Sequence, residues 1–265
     1  MRTHGLKFDV NCSILFTELP LLRRPAAAKA AGFDAAEFGW PFAEPVPADR
    51  EVDEFISALT DAGVQLTALN FVAGDMAAGD RGWVSDPTKI TQFRDNVDVC
   101  VGIADRTGCR ILNAPYGNRP GRDELAVLNL IIAARAAAAA GATIVIEALN
   151  SRENPRYPVT SSAAAIEVID AARAEGAPNV ALLADLYHLA MMGEDLPAML
   201  AERQDYIAHI QIADVPGCGA PGTGNLDFEV LFGLLAAQNY PAWIGCEYRH
   251  NDIATTPMNF SWLEA

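Results

Sequence analysis

Four apolar runs in this chain each end on an oxygen-bearing side chain. Thr143-Ile-Val-Ile ends on Glu147, Val180-Ala-Leu-Leu-Ala on Asp185, Ile207-Ala-His-Ile on Gln211, and Ala242-Trp-Ile-Gly-Cys on Glu247. Short apolar runs of this kind read as strands buried on both faces. A charge at the end of a buried strand is costly unless something pairs it. Three carboxylates and one amide carbonyl form an all-oxygen donor set, which suits Mg²⁺ or Mn²⁺ better than zinc. Without a cation, three carboxylates at one place repel one another and their pKa values rise. Glu147, Asp185, Gln211 and Glu247 are therefore expected to hold one divalent metal ion.

Residues so far apart in sequence can meet only if the elements that carry them share an end. Strands are expected at Leu6–Ser13, Ala35–Trp40, Val64–Phe71, Arg110–Pro115, Thr143–Asn150, Val180–Asp185, Ile207–Ala213 and Trp243–Tyr248. Helices are expected at Leu19–Ala31, Asp49–Ala62, Pro87–Thr107 with Asp86 as its cap, Asp123–Ala140, Ser161–Glu175, Leu196–Tyr206 and Asp227–Asn239. The strand-end residues Glu37, Asn70, Asn113, Glu147, Asp185, Gln211 and Glu247 recur at intervals of 26 to 43 residues. That is the spacing of a β-α unit, and eight such units predict an α/β fold of the (β/α)8 TIM barrel type. No GxGxxG follows the first strand, which disfavours a doubly wound open sheet. No linker or low-complexity tract divides the chain, so residues 1–265 read as a single barrel domain. In such a barrel the C-terminal strand ends share one mouth, and there the four donors converge.

The chain has 265 residues, of which 51% are hydrophobic, enough to bury a large core. Its formal net charge of -15 disfavours phosphate backbones, and no nucleic-acid partner is expected. The five cysteines include no CxxC pair and read as reduced, buried thiols. No signal-peptide pattern and no run of 18 apolar residues occurs, so a cytoplasmic protein without membrane segments is expected. A homo-oligomer is left open.

Other residues near the strand ends could contact a substrate. His188 lies three positions after Asp185, where the strand is expected to pass into a loop, and could donate to a substrate oxygen. His209 shares a strand face with Gln211 and reads as a hydrogen-bonded core histidine. Asn70 ends the third strand. The glycine-rich connection after it, Ala73–Gly82, carries Arg81 and is either a surface Ω-loop or a loop that closes over an anionic ligand. The segment Ala220-Pro-Gly-Thr-Gly-Asn contains no Lys or Arg and reads as a pocket wall rather than a phosphate loop.

Taken together, the run from Asn70 to Gly82, Glu147-Ala-Leu-Asn, Asp185-Leu-Tyr-His, His209-Ile-Gln-Ile-Ala-Asp, Pro221-Gly-Thr-Gly and Gly245-Cys-Glu-Tyr resemble the hydroxypyruvate isomerase family of xylose-isomerase-like TIM barrels. The motifs span nearly the whole chain in order. The resemblance implies a divalent metal on Glu147, Asp185, Gln211 and Glu247, with Glu147 and Glu247 as the acid/base pair. It also implies substrate contacts from His188 and Glu153. The activity it implies is the interconversion of hydroxypyruvate and tartronate semialdehyde through a cis-enediolate. One departure bears on the substrate. Relatives carry an Arg or His and a Glu between the seventh strand and the Pro-Gly-Thr-Gly motif, and often a Glu after it. Here the positions read Val215-Pro-Gly-Cys-Gly-Ala, and Asn225 follows. Arg81, Arg152 and Arg249 are the candidates to supply the missing cation. A ketose or keto-polyol 3-epimerase would share the metal and the glutamates. An endonuclease IV-like phosphodiesterase would need a histidine-rich multi-zinc site and a basic face, and the chain has four histidines in all. A non-catalytic sugar-binding barrel would not need the glutamate pair.

Overall fold

Eight parallel strands follow the apolar runs: β1 (Lys7–Asn11), β2 (Ala35–Phe38), β3 (Gln65–Asn70), β4 (Ile111–Asn113), β5 (Thr143–Glu147), β6 (Val180–Asp185), β7 (Ile207–Ile212) and β8 (Trp243–Cys246). The computed structural model describes residues 1–119, 124–249 and 260–264. The strands pair in sequence order and β8 returns to β1, so the sheet closes and leaves no edge. The helices are α1 (Arg24–Ala30), α2 (Asp49–Ala62), α3 (Ile90–Thr107), α4 (Glu124–Ala139), α5 (Ser162–Ala174), α6 (Leu186–Met191), α7 (Leu196–Glu202) and α8 (Phe228–Ala237). This is the expected TIM barrel.

Local chemistry explains most boundaries. Val52, Phe55 and Leu59 form the buried stripe of α2, and Gly63 ends it in the left-handed conformation. Ser161, Asp195 and Asp227 accept backbone N–H groups at the starts of α5, α7 and α8. Two expectations need correction. The third helix starts at Ile90 rather than Pro87, because the Asp86 carboxylate accepts from the backbone N–H and hydroxyl of Thr88 and closes a separate turn. Residues 186–191 form a helix rather than a loop, because Asp185 caps it by accepting from the N–H groups of Tyr187 and His188. Asp123, the expected start of the fourth helix, and His250 lie outside the described residues. All five cysteines are buried and unpaired, as expected. Among the described residues no helix is long and apolar enough to cross a membrane.

The main apolar core lies between the barrel wall and the helices, and a small cluster of Val145, Ala181 and Leu183 fills one side of the barrel interior. The other side is polar. Asp9 on β1, Glu37 on β2, Thr67 on β3 and His209 on β7 are all buried. β2 and β7 are not neighbours, yet ligand-type atoms of Asp9, Glu37 and His209 lie within 4.8 Å of one another. These side chains meet across the interior, directly beneath the mouth.

Candidate active site

Register brings the predicted donors together. Asp185 pairs with Gln211 between β6 and β7, Gln211 pairs with Gly245 between β7 and β8, and Glu247 follows β8 by one residue. Glu147 ends β5. Glu147, Asp185 and Glu247 line a cavity of roughly 230 Å³ at the C-terminal mouth, together with Asn70, Arg81, Glu153, His188 and Arg249. Gln211 lies below its floor, 3% exposed.

Each donor has one side held by the protein and one left over. Asn113 Nδ2 donates to Glu147 Oε2 at 2.9 Å, and Asn11 Nδ2 donates to Glu247 Oε1 at 2.9 Å. Asp185 Oδ1 caps α6, which leaves Oδ2. Gln211 Nε2 donates to Glu37 Oε1 at 2.6 Å, while Gln211 Oε1 is buried with no hydrogen-bond partner among the described residues. Among the described residues no Lys or Arg forms an ion pair with Glu147, Asp185 or Glu247. Burial, then the charge of Asp185, pushes Glu147 up to about 8. Burial and the charges of Glu147, Glu37 and Asp185 raise Glu247 well above the carboxylate range. Burial also raises Asp185, against the opposing pull of His188 and two backbone N–H groups. A crowd of uncompensated carboxylates beside an orphaned carbonyl is what a hard divalent cation would satisfy, and the residues fit Mg²⁺ or Mn²⁺.

His188 has a fixed tautomer. Its Nδ1 accepts from the Asn150 backbone N–H at 3.2 Å, so Nε2 carries the proton. That nitrogen points to the mouth, 3.9 Å from Glu147 Oε1 and 3.7 Å from Asp185 Oδ2. With Nδ1 facing the two Asn150 donors, Nε2 presents a proton rather than a lone pair to the mouth, although His188 lies close to Glu147 and Asp185. Glu153 accepts from Asn150 Nδ2 and pairs with Arg249 Nη2 at 3.3 Å. Burial would raise its pKa, but Asn150 and Arg249 outweigh burial and the net shift is downward.

The arginine candidates separate. Arg81 and Arg249 line the cavity, whereas Arg152 is exposed and does not. Arg81 is anchored through Nε to Asn154 and through Nη1 to the carbonyls of Met76 and Asp80. Its loop is a self-bonded Ω-loop tied to the barrel by Asn118 and Arg156 at Gly79. Gly82 sits so close to Pro115 that a Cβ would lie 1.8 Å from its carbonyl oxygen, so only glycine fits there. The Pro221-Gly-Thr-Gly loop wraps a residue the sequence reading left without a role. Asp214 accepts the backbone N–H groups of Val215, Gly222, Gly224 and Leu226 and holds the loop folded, and Cys218 from it lines the cavity. Sequence reasoning also missed Asn11, Asn113 and Glu37 as partners of the donors. Their one signal was placement at expected strand ends or within the first strand.

Residues 25–265 match the family model described as xylose isomerase-like TIM barrel. A provisionally named hydroxypyruvate isomerase from Streptomyces coelicolor is 50% identical over 98% of this chain and 96% of that protein. A 2-oxo-tetronate isomerase from Pectobacterium atrosepticum is 32% identical over 97% of each. A solved structure from Brucella melitensis, named as an AP endonuclease of family 2, superimposes with a TM-score of 0.83 at 33% identity, covering 93% of this chain and 94% of that one.

Proposed function

The chain belongs to the hydroxypyruvate isomerase family of xylose isomerase-like TIM barrels and is an isomerase; we propose that it interconverts hydroxypyruvate and tartronate semialdehyde in a divalent-metal-dependent reaction, with Glu147 and Glu247 as the acid/base pair. The observation that carries this reading is the convergence of Glu147, Asp185 and Glu247 on one cavity above the unpartnered carbonyl of Gln211.

The two isomers differ by a proton moved from C3 to C2 and a second moved between the neighbouring oxygens. Mg²⁺ or Mn²⁺, held by Glu147, Asp185, Gln211 and Glu247, would supply Lewis-acid stabilisation of charge on those oxygens. One glutamate, ionised and loosely held, takes the C3 proton, and the other, freed from the ion and protonated, gives a proton to C2 of the enediolate, after which the pair exchanges protons with solvent to reset. β6 and β7 lie between their strands, so the two carboxylates approach from separate parts of the mouth. The Nε2–H of His188 donates to a substrate oxygen as charge builds there. The direct test is turnover of hydroxypyruvate in D₂O, followed by NMR. Deuterium at C2 of the product is expected, and its complete absence would favour a hydride shift or a fully shielded proton over a solvent-exchanging relay. Elemental analysis after dialysis against Mn²⁺ should find one ion per chain. Two or three zinc ions would instead revive the nuclease reading.

Arg81 and Arg249 fit the substrate carboxylate, since both are cavity-lining cations. Arg81→Ala and Arg249→Ala are each expected to raise KM for hydroxypyruvate by about 10-fold, equivalent to about 1.4 kcal/mol. KM for a neutral ketose should not change. Unchanged KM for the acid, together with epimerisation of a ketose, would move the activity to a 3-epimerase on the same site.

A further inference from the structure

We propose that Glu37 is a positioning residue that fixes which end of the Gln211 amide faces the catalytic cavity, and that through Asn11 it also orients Glu247. The proposal deepens the reading of the mouth as a divalent-cation site and rests on it.

An amide side chain has two ends of nearly equal shape and opposite polarity, so packing alone does not choose between them. A carboxylate can. Glu37 is 1% exposed, and both of its carboxyl oxygens face side-chain donors. Its Oε1 takes Gln211 Nε2 at 2.6 Å and Asn11 Nδ2 at 2.9 Å, and its Oε2 takes His209 Nε2 at 2.6 Å. With the NH₂ group of Gln211 committed to Glu37, the carbonyl must face away, and Gln211 Oε1 is indeed the end left without a partner among the described residues. Turning the amide over would set its oxygen against the carboxylate and present its NH₂ group where a cation needs an acceptor.

Asn11 is the second arm. Its Nδ2 donates to Glu37 Oε1 and to Glu247 Oε1, while its Oδ1 accepts from the Ser13 backbone N–H. The amide is therefore fixed at both ends, and the catalytic glutamate is tied to the buried one. Space for this hub is built into the opposite wall. A Cβ on Gly245 would lie 2.6 Å from Glu37 Oε2, so β8 carries no side chain where the carboxylate sits. Asp9, Glu37 and His209 are close enough together to suggest an ion of their own, but His209 Nε2 is bonded to Glu37, which occupies the nitrogen that would coordinate.

Mn²⁺ affinity of the intact protein, measured by calorimetry, tests this without reference to turnover. Glu37→Gln removes the one-way polarity, and Mn²⁺ binding is expected to weaken by about 10- to 100-fold, the usual effect of losing a partner that orients a metal ligand. Adding Gln211→Glu to that variant restores an acceptor-only group on one side of the contact and a donor on the other. Affinity should return to within about 3-fold of the wild type, while Gln211→Glu alone, which sets two carboxylates against each other, should not bind Mn²⁺ more tightly than the wild type, a non-additivity expected of residues in contact or in one hydrogen-bond network. Should Glu37→Gln fail to fold by circular dichroism, Gly245→Ala displaces the same carboxylate without removing a polar group and should weaken Mn²⁺ binding over the same range. A folded Glu37→Gln or Gly245→Ala protein that binds Mn²⁺ like the wild type overturns the proposal, as does a loss that Gln211→Glu leaves uncorrected. A wild-type protein that binds no Mn²⁺ overturns the metal reading itself and the proposal with it.

Discussion

Replacing Glu147 or Glu247 by glutamine is expected to lower kcat for hydroxypyruvate by about 100-fold or more, the scale of positioned general acid–base catalysis. Glutamine keeps the size of the side chain and an oxygen that can still accept. Asn113 and Asn11 can go on donating to the replaced residues, so the barrel mouth should keep its shape. What is lost is the ability to take or give a proton. Each swap also removes a negative charge from the donor set, so the comparison must be made at saturating Mn²⁺. A fall in KM along with kcat would point to relief of ground-state strain rather than loss of a proton carrier. Wild-type kcat in either variant would remove that glutamate from the relay, and wild-type kcat in both would sink the acid/base assignment.

The donors were legible in the sequence because each closes an apolar run, and a buried strand that stops on a carboxylate leaves a mark that survives without coordinates. Val180–Asp185 and Asp49–Ala62 even keep their expected boundaries. The hub beneath the donors was not legible. Glu37 lies one residue before the end of β2, and its side chain turns inward to meet Gln211 and His209, a contact that depends on barrel closure bringing β2 and β7 to the same interior. His209 was read correctly as a hydrogen-bonded core residue, but its partner lies 172 positions away. The helix at Leu186–Met191 escaped notice because six residues are too few to show a helical period. Its cap is Asp185, whose proposed second role as a cation ligand drew attention to the mouth instead. Arg249, three residues beyond the end of β8, and Arg81 line the cavity and are the proposed counterparts of the missing seventh-loop cation, and neither could be placed there before the barrel was seen to close.

Removing the metal should expose the charge crowding as a pH-dependent loss of stability. Burial and Asp185 hold the metal-free Glu147 at about 8, above its ordinary value of 4.5. A carboxylate raised on folding contributes stability that is fully present below its unfolded pKa and is lost as pH rises through the folded one. The chelated protein should therefore melt at progressively lower temperature between about pH 5 and pH 8, a window set by those two values. Asp9, raised to about 7 mainly by burial and then by Glu37, adds to the same trend from inside the barrel. Mn²⁺ should oppose only the part that arises at the mouth. Its ligands must be ionised, so binding releases protons and tightens as pH rises toward 8. At 100 times its Kd the ion adds about 2.7 kcal/mol, which for a chain of this size raises Tm by roughly 5 to 10 °C. The shift should be larger at pH 8 than at pH 6, and Asp185→Asn should reduce it at both. Turnover should vanish on chelation and return with Mn²⁺. Melting curves in EDTA and in Mn²⁺ at several pH values decide the matter: a Tm shift of equal size at every pH would mean that the ion binds somewhere other than this cluster of carboxylates.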